Sequence, residues 1–130
     1  MIIFNKKSRE SGANLIETAI LVPLLLLFLV GVADFGRAYH TYITMINAAR
    51  EGARLAVGDP GDSSAIHGAV LREAQDSNID LSGAVISIVT AGAGHPVRVT
   101  IQLDYNTLLG IIIGVPNFPM KASATFRVRG

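Results

Sequence analysis

The sequence predicts an α+β protein in which a long apolar amino-terminal helix continues into a small domain with a second helix and a three- to four-stranded antiparallel sheet. Residues 15–33 are an apolar run whose single charge is Glu17, and a run of this length is typical of a membrane helix. Apolar side chains then recur at three- and four-residue steps as far as Val57, and later segments alternate apolar with polar residues as strands do. With 130 residues, the chain has room for one modest domain beyond the helix.

The composition narrows the classes of function. A formal net charge of +1 gives no indication of a nucleic-acid partner. The chain contains no cysteine, which excludes disulfides and a lipoprotein anchor. His40, His67 and His95 stand apart without metal-ligand spacing, and the glycines near Gly92 lack the residues of a phosphate-binding loop. We therefore expect a protein that is not an enzyme, with no cofactor, no metal and no small-molecule substrate.

The apolar run is expected to cross a membrane and to be retained. Residues 18–33 are uncharged, and at 1.5 Å per residue they span roughly 24 Å, enough for a bilayer when the polar ends lie at its interfaces. Lys6, Lys7 and Arg9 precede the run. Because cations favour the cytoplasmic side, we expect the amino terminus in the cytoplasm and the domain outside.

The helix is expected to continue beyond the membrane. Pro23 removes one backbone donor, so we expect a kink or local loosening near residues 19–23. The periodicity after the run predicts an apolar stripe suited to covering a sheet. The members of this stripe are Tyr39, Tyr42, Ile43, Ile46, Ala49, Ala53 and Val57. Glycine and proline within residues 58–61 predict the end of the helix.

The other face of this helix is more polar. Its members are Asp34, Arg37, Thr41, Thr44, Asn47, Glu51 and Arg54. Asp34 with Arg37, and Glu51 with Arg54, have the spacing to pair across one turn. Two interpretations stay open: these are ordinary solvated pairs, or they are, together with Arg50, candidate contacts with other subunits.

The remaining elements follow from local patterns. A second helix is predicted over residues 63–77, capped by Asp62 or Ser63. Its predicted buried face is Ile66, Ala69, Val70 and Ala74. Strands are predicted over residues 84–90, 97–104 and 122–128, with a turn at residues 91–94.

Residues 108–115 form an apolar segment where a polar connection would be expected. Gly110 and Gly114, followed by Pro116 and Pro119, favour an irregular excursion over a long helix. Two interpretations stay open here as well. The segment packs into the core beneath the sheet, or it is an exposed patch for a partner subunit or the membrane surface.

The residues before the apolar run resemble the substrate of a prepilin peptidase. A basic leader ends in Gly12, and Glu17 is the fifth residue counted from Ala13. The resemblance implies cleavage after Gly12, so that the new α-amino group of Ala13 in a neighbouring subunit pairs with Glu17. An ionisable group in a membrane-length segment costs at least about 2.5–3.5 kcal/mol at mid-bilayer, which is why a partner is expected. The alternative is an uncleaved anchor in which Glu17 stays hydrated at headgroup level.

Two motifs make the resemblance more specific. The run DFGRAY at residues 34–39 and the run NAAREGAR at residues 47–54 resemble the TadE-like pseudopilin family of tight-adherence (Flp-type) pilus systems, over residues 12–58. Thr18 stands where Flp major pilins usually have tyrosine, and the domain is larger than theirs, so the resemblance implies a minor, pilin-like component. It implies four partners: a prepilin peptidase, other pilin-like subunits or further copies of the chain, the pilus assembly machinery and the membrane.

These observations divide the chain into three parts. Residues 1–12 are the expected leader, residues 13–34 the membrane and assembly helix, and residues 35–130 the extracytoplasmic domain. The predicted function is that of a processed minor pilin or pseudopilin, first held in the cytoplasmic membrane and then part of an extracellular pilus. The alternative is an unprocessed single-span anchor that presents a partner-binding module.

Overall fold

The predicted α+β architecture is confirmed. A computed structural model describes residues 6–90 and 95–127, with side chains described from Gly12 onward. The elements in chain order are α1 (Lys6–Gly58), α2 (Ser63–Asp76), β1 (Val85–Thr90), β2 (Val97–Asn106), α3 (Leu108–Ile113) and β3 (Asn117–Phe126). In the domain, the second half of α1 packs against β2 and β3 of a three-stranded sheet, and α2 packs against α1. Buried residues of both helices and of the sheet share one hydrophobic core.

The first helix is a continuous rod. It contains 53 residues, which at 1.5 Å per residue corresponds to roughly 80 Å. The helix runs through Pro23 without a break, so the loosening expected there does not interrupt it. It ends at Gly58, as predicted, and the following turn is closed by an N–H of Gly61 donating to Asp59 Oδ1 at 2.9 Å.

The second helix forms as its sequence predicts. Asp62 is its N-cap, and the carboxylate accepts the backbone N–H of Ala65 at 3.0 Å. This hydrogen bond, with a second from the Ser64 hydroxyl, holds the pKa of Asp62 below its ordinary value. The four buried residues of α2 are those predicted, namely Ile66, Ala69, Val70 and Ala74.

The sheet is antiparallel in the order β1-β2-β3. Its third strand begins at Asn117 rather than at the predicted residue 122. The first five residues of the strand were not predicted, because a proline such as Pro119 in a sequence usually indicates that a segment is not a strand. Pro119 is tolerated here because β3 lies at the edge of the sheet, where a missing donor is not needed. The turn predicted at residues 91–94 and the predicted end of the strand at residue 128 lie outside the described residues.

The stripe predicted to cover the sheet is wrong in its first half. Tyr39, Tyr42 and Ile43 are 60%, 41% and 39% exposed. In their place α1 buries mostly small side chains. These are Thr41, Thr44, Met45, Ala48, Ala49, Ala53 and Ala56. The prediction that Thr41 and Thr44 lie on the polar face is wrong as well, because they are only 5% and 3% exposed.

Close approach of the two helices explains this choice. A Cβ added to Gly52 would lie 2.7 Å from Val70 Cγ2 and 3.5 Å from Val99 Cγ1. At this separation α1 places mainly glycine, alanine and threonine, with Met45, towards α2 and the sheet. Larger side chains such as that of Tyr39 remain on the outer face. Periodicity alone favoured the bulkier residues, which belong to a different surface.

The absence of a side chain at Gly52 should therefore be required for packing. Gly52→Ala gains about 1 kcal/mol of helix propensity, but overpacking against the stiff Val70 side chain costs about 1–3 kcal/mol. We expect a net loss of about 1 kcal/mol in the free energy of unfolding, measured by denaturant titration of the full chain in detergent.

Gly68→Ala is the matched control for this prediction. It lies inside α2, where an added Cβ meets only Arg72 Nη1 at 3.9 Å, so it should stabilise the domain by up to about 1 kcal/mol. Val70→Ala should be less harmful when combined with Gly52→Ala than when made alone. Equal stabilisation by the two glycine substitutions would contradict the close packing.

Candidate functional site

An exposed apolar surface covers most of the first half of α1. Every residue from 12 to 29 is exposed. Among the described residues, α1 is the one helix long and apolar enough to cross a membrane, with a mean hydropathy of 2.6 in its most apolar window. The surface continues past the apolar run to Phe35 and Tyr39, which are 74% and 60% exposed. Their rings stack with centroids 6.5 Å apart, so this part of the surface is ordered by its own side chains.

The predicted processing and charge-pairing residues lie at the first end of this surface. Gly12, Ala13 and Glu17 are all exposed, and a Cβ added to Gly12 would have no atom within 4 Å. Among the described side chains none pairs with Glu17. The neighbouring Thr18 hydroxyl donates to the carbonyl oxygen of Asn14 at 2.9 Å. Roles in processing and subunit pairing stay predictions for these residues.

Asp34 joins α1 to α3. Its side chain is only 7% exposed, so the interpretation of Asp34 as a solvated surface group is wrong. One carboxylate oxygen, Oδ2, accepts the backbone N–H of Leu109 at 2.6 Å. The other, Oδ1, lies 3.4 Å from Nη1 of Arg37, whose side chain is 55% exposed. The predicted pair across one turn therefore exists, and the acid at its centre also holds an element 75 residues away.

The short helix α3 is closed by hydrogen bonds at both ends. The hydroxyl of Thr107 accepts the N–H of Gly110 at 2.8 Å. At the other end Gly114 adopts a left-handed conformation with φ 83°, and Val115 donates its N–H to the carbonyl of Gly110 at 2.8 Å. A Cβ at Gly110 would collide with the Thr107 hydroxyl and the Val115 carbonyl. Glycine is therefore required for this tight loop.

The large side chains of this segment point outward. Leu108 is 51% exposed, and Ile111, Ile112, Ile113 and Val115 are between 63% and 65% exposed. The interpretation of residues 108–115 as core packing is wrong, because the loop turns Gly110 inward and leaves the aliphatic side chains around it outside. The alternative interpretation, an exposed apolar patch, is the one that the structure supports.

An apolar groove runs between this patch and α1. Its volume is about 850 Å³, and it is walled by α1 residues between Leu21 and Phe35 and by Leu109 and Ile113 of α3. Gly31 lies where α3 approaches α1, and a Cβ there would be in ordinary van der Waals contact with Leu109 Cδ2 at 3.6 Å. The groove can hold acyl chains or an apolar helix, and it offers no group for chemical catalysis.

The second predicted ion pair lies near the other end of α1. Arg54 Nη2 is 2.5 Å from Glu51 Oε1, and Arg54 Nε donates to Glu51 Oε2 at 2.9 Å. These hydrogen bonds hold the pKa of Glu51 below its ordinary value. Arg54 is 62% exposed and Glu51 34%, and Arg50 is also exposed. Their positions suit contact with another molecule, but exposed pairs contribute little to stability, and subunit contact stays a prediction.

The predicted site residues therefore occupy three separate regions of one rod. Gly12, Ala13 and Glu17 lie at one end, Asp34 and Arg37 in the middle, and residues 50–54 near the other end. Among the side chains that the structure describes, in residues 12–90 and 95–127, no three from histidine, aspartate or glutamate come together as a metal site would require. The arrangement supports contacts along a surface rather than chemistry at a single point.

Comparison with known proteins confirms the resemblance predicted from the motifs. The family model described as TadE-like protein matches residues 12–54. The match begins at the predicted cleavage position, includes Asp34 and Arg37, and ends at Arg54. No curated protein and no solved structure gives a significant match to the chain.

Removing the Asp34 acceptor should release α3 from α1. Hydrogen bonds to charged acceptors contribute about 1.5–3 kcal/mol, so in Asp34→Ala we expect the Leu109 amide to exchange with solvent roughly ten- to a hundredfold faster. The measurement is hydrogen exchange on the full chain, with the amide of the buried Val99 as internal reference.

Asp34→Asn is the matched control, because its amide oxygen can still accept the Leu109 N–H. We expect a smaller acceleration in this variant. Unchanged exchange at Leu109 in Asp34→Ala would show that the hydrogen bond does not hold α3.

Proposed function

We propose, from the match of the TadE-like family model to residues 12–54, that this chain is a minor pilin or pseudopilin, cleaved after Gly12 and assembled into a tight-adherence-type pilus by helix packing. The family is one of structural, Tad pilus-associated pilin-like proteins rather than enzymes. The long exposed apolar helix α1 agrees with a membrane-anchored protein that associates with other pilus subunits.

The observation that carries the proposal is the length of the exposed apolar surface. A bilayer accounts for the exposure of residues 15–33, but the surface continues to Phe35, Tyr39, Tyr42 and Ile43 on the domain half of α1. Contiguous exposed apolar patches of this kind mark interaction surfaces. Helices of other pilin-like subunits, or of further copies of this chain, would cover both parts of the surface at once.

Glu17 is the proposed electrostatic link between subunits. Its carboxylate lies at the start of the apolar run and is exposed. Cleavage after Gly12 would create a cationic α-amino group at Ala13, one helical turn away in the same chain and available to a neighbour. Pairing the two charges between subunits would offset the cost of withdrawing each from water, and it would set the stagger of neighbouring helices.

The exposed charges further along α1 are the proposed lateral contacts. Arg37, Arg50 and Arg54 present guanidinium groups at the surface, and Glu51 and Asp34 supply the acidic partners within the chain. A neighbouring subunit could exchange these intrachain pairs for pairs across the interface. Such contacts would contribute specificity more than affinity.

The proposal assigns a location to each part of the chain. Residues 1–12 form the leader on the cytoplasmic side, residues 13–34 the membrane and assembly helix, and residues 35–130 the extracytoplasmic domain. The prepilin peptidase would act at Gly12, and the pilus assembly machinery would then withdraw the helix from the bilayer. An unprocessed anchor that presents a binding module is the alternative outcome of the tests below.

Replacing Gly12 with a bulky residue should block processing without disturbing the fold. An added Cβ at Gly12 meets no atom within 4 Å, and the same is true at Gly36. Intact-mass analysis of the protein from its native cells should show a chain beginning at Ala13 for the unaltered protein and for Gly36→Val, and a full-length chain for Gly12→Val. A full-length chain in the unaltered protein would favour the unprocessed anchor.

Removing the Glu17 charge should impair assembly but not folding. Leaving the Ala13 amino group unpaired in a buried site costs about 3–5 kcal/mol, so we expect at least a tenfold smaller amount of Glu17→Ala in the pilus fraction, measured by quantitative immunoblotting. Thr18→Ala is the neighbouring control, since the Thr18 hydroxyl bonds only within its own helix. Incorporation of Glu17→Ala at the unaltered level would reject the pairing.

A further inference from the structure

We propose that α3 is a second membrane contact of the anchored protein, a short helix that lies in the headgroup and acyl boundary of the leaflet on the domain's side. It would sit beside the point where α1 leaves the bilayer. This inference rests on the membrane anchoring included in the proposed function. It requires neither processing nor assembly into a pilus.

The position of α3 along α1 sets its depth. Asp34 Oδ2 accepts the Leu109 N–H at 2.6 Å, and the Leu109 side chain lies against Gly31. These two α1 residues are one turn apart at the end of the apolar run. Because α1 is a continuous helix, any depth that the bilayer imposes on Gly31 and Asp34 is imposed on α3 as well.

The length of the run places this level at the edge of the hydrocarbon. Residues 18–33 span roughly 24 Å as a helix, less than the hydrocarbon thickness of about 30 Å. Asp34 is therefore drawn to the acyl boundary rather than held above it. Its carboxylate is screened by the Leu109 N–H and by Arg37, whose exposed side chain can reach the headgroups.

The chemistry of the segment agrees with lipid contact. Residues 105–120 carry no charge. The exposed side chains of α3 and its C-terminal turn are all aliphatic. They are Leu108, Ile111, Ile112, Ile113 and Val115. The free energy of such an apolar surface falls when the surface leaves water for the boundary region of a bilayer.

Several backbone N–H groups in and around α3 already have hydrogen-bond partners within the protein, as an environment poor in water requires. The N–H of Leu109 bonds to Asp34, and the N–H of Gly110 bonds to the Thr107 hydroxyl. The N–H of Val115 bonds to the carbonyl of Gly110, and that of Thr107 to the carbonyl of Pro116. Polar backbone groups at membrane depth need such partners within the protein.

Continuity with the membrane helix favours lipid over a second copy of the chain. Ile113 and Leu109 share one apolar groove with Leu21, Leu24 and Phe28 of α1, and in the anchored protein these α1 residues face acyl chains. An acyl chain that fills the groove contacts α3 without any further rearrangement. A second copy would have to exclude lipid from both walls.

The test uses depth-dependent fluorescence quenching on the full chain. The protein has no cysteine, so a single cysteine can carry one environment-sensitive fluorophore in vesicles of phosphatidylcholine and phosphatidylglycerol. The variants are Ile112→Cys on α3, Phe28→Cys in the apolar run and Val89→Cys on β1. Val89 is the matched control, because its side chain is 62% exposed and that of Ile112 is 63% exposed. Val89 pairs with Arg98 near the start of β2, whereas α3 follows the other end of that strand.

The expected result is a membrane signature at position 112 and none at position 89. A nitroxide lipid labelled near its headgroup should quench the fluorophore at position 112 at least twofold more than that at position 89, and aqueous iodide should quench it at least threefold less. Ile113→Cys, at a side chain 65% exposed, should repeat the result. Agreement between these two sites supports α3 as the element in contact with lipid.

Three outcomes would overturn the inference. Equal quenching at positions 112 and 89 would place α3 in water, and protection from both quenchers at position 112 would mean that a second copy covers α3. In either case an embedded fluorophore at position 28 would leave the proposed function intact. A fluorophore at position 28 that iodide reaches freely would remove the anchoring premise, and with it both proposals.

Discussion

The structure depends on a single helix that meets two environments in succession. The first half of α1 exposes apolar side chains on every side, whereas the second half supplies one wall of the domain core. Since the helix is continuous from Lys6 to Gly58, its two halves cannot adjust independently. In the proposed anchored protein, this one helix therefore sets the level of the domain above the membrane, the depth of α3 and the position of the exposed charges.

Side-chain size divides the surface of the domain half of α1. Small residues such as Ala49 and Gly52 face α2 and the sheet, where the backbone approaches closely. Large residues such as Phe35 and Tyr39 face outward. These outward-facing side chains remain largely exposed within the chain, and the proposed assembly with helices of other subunits would cover them.

Local signals predicted much of this fold, and tertiary contacts account for what they missed. The cap at Asp62 and the periodicity of α2 specify that helix and its buried face within a few residues, so sequence was sufficient there. The inner face of α1 depends on how closely α2 approaches at Gly52, which periodicity does not record. The bond between Asp34 and Leu109 joins residues 75 positions apart, and neither residue type nor spacing identifies such a partner. The exposure of the α3 side chains follows from the closed loop around Gly110, so sequence left two interpretations open.

The continuity of α1 through Pro23 has a geometric consequence for any bundle that contains it. Because one uninterrupted helix links the apolar run to the domain, a rotation of this helix about its long axis turns the sheet through the same angle. The direction in which each domain faces around the bundle is thus determined by which side of α1 packs against the neighbouring helices. A change in the side of the helix that faces its neighbours would reorient β1 and β3, the two edge strands of the sheet, and alter which molecules outside the bundle can reach them.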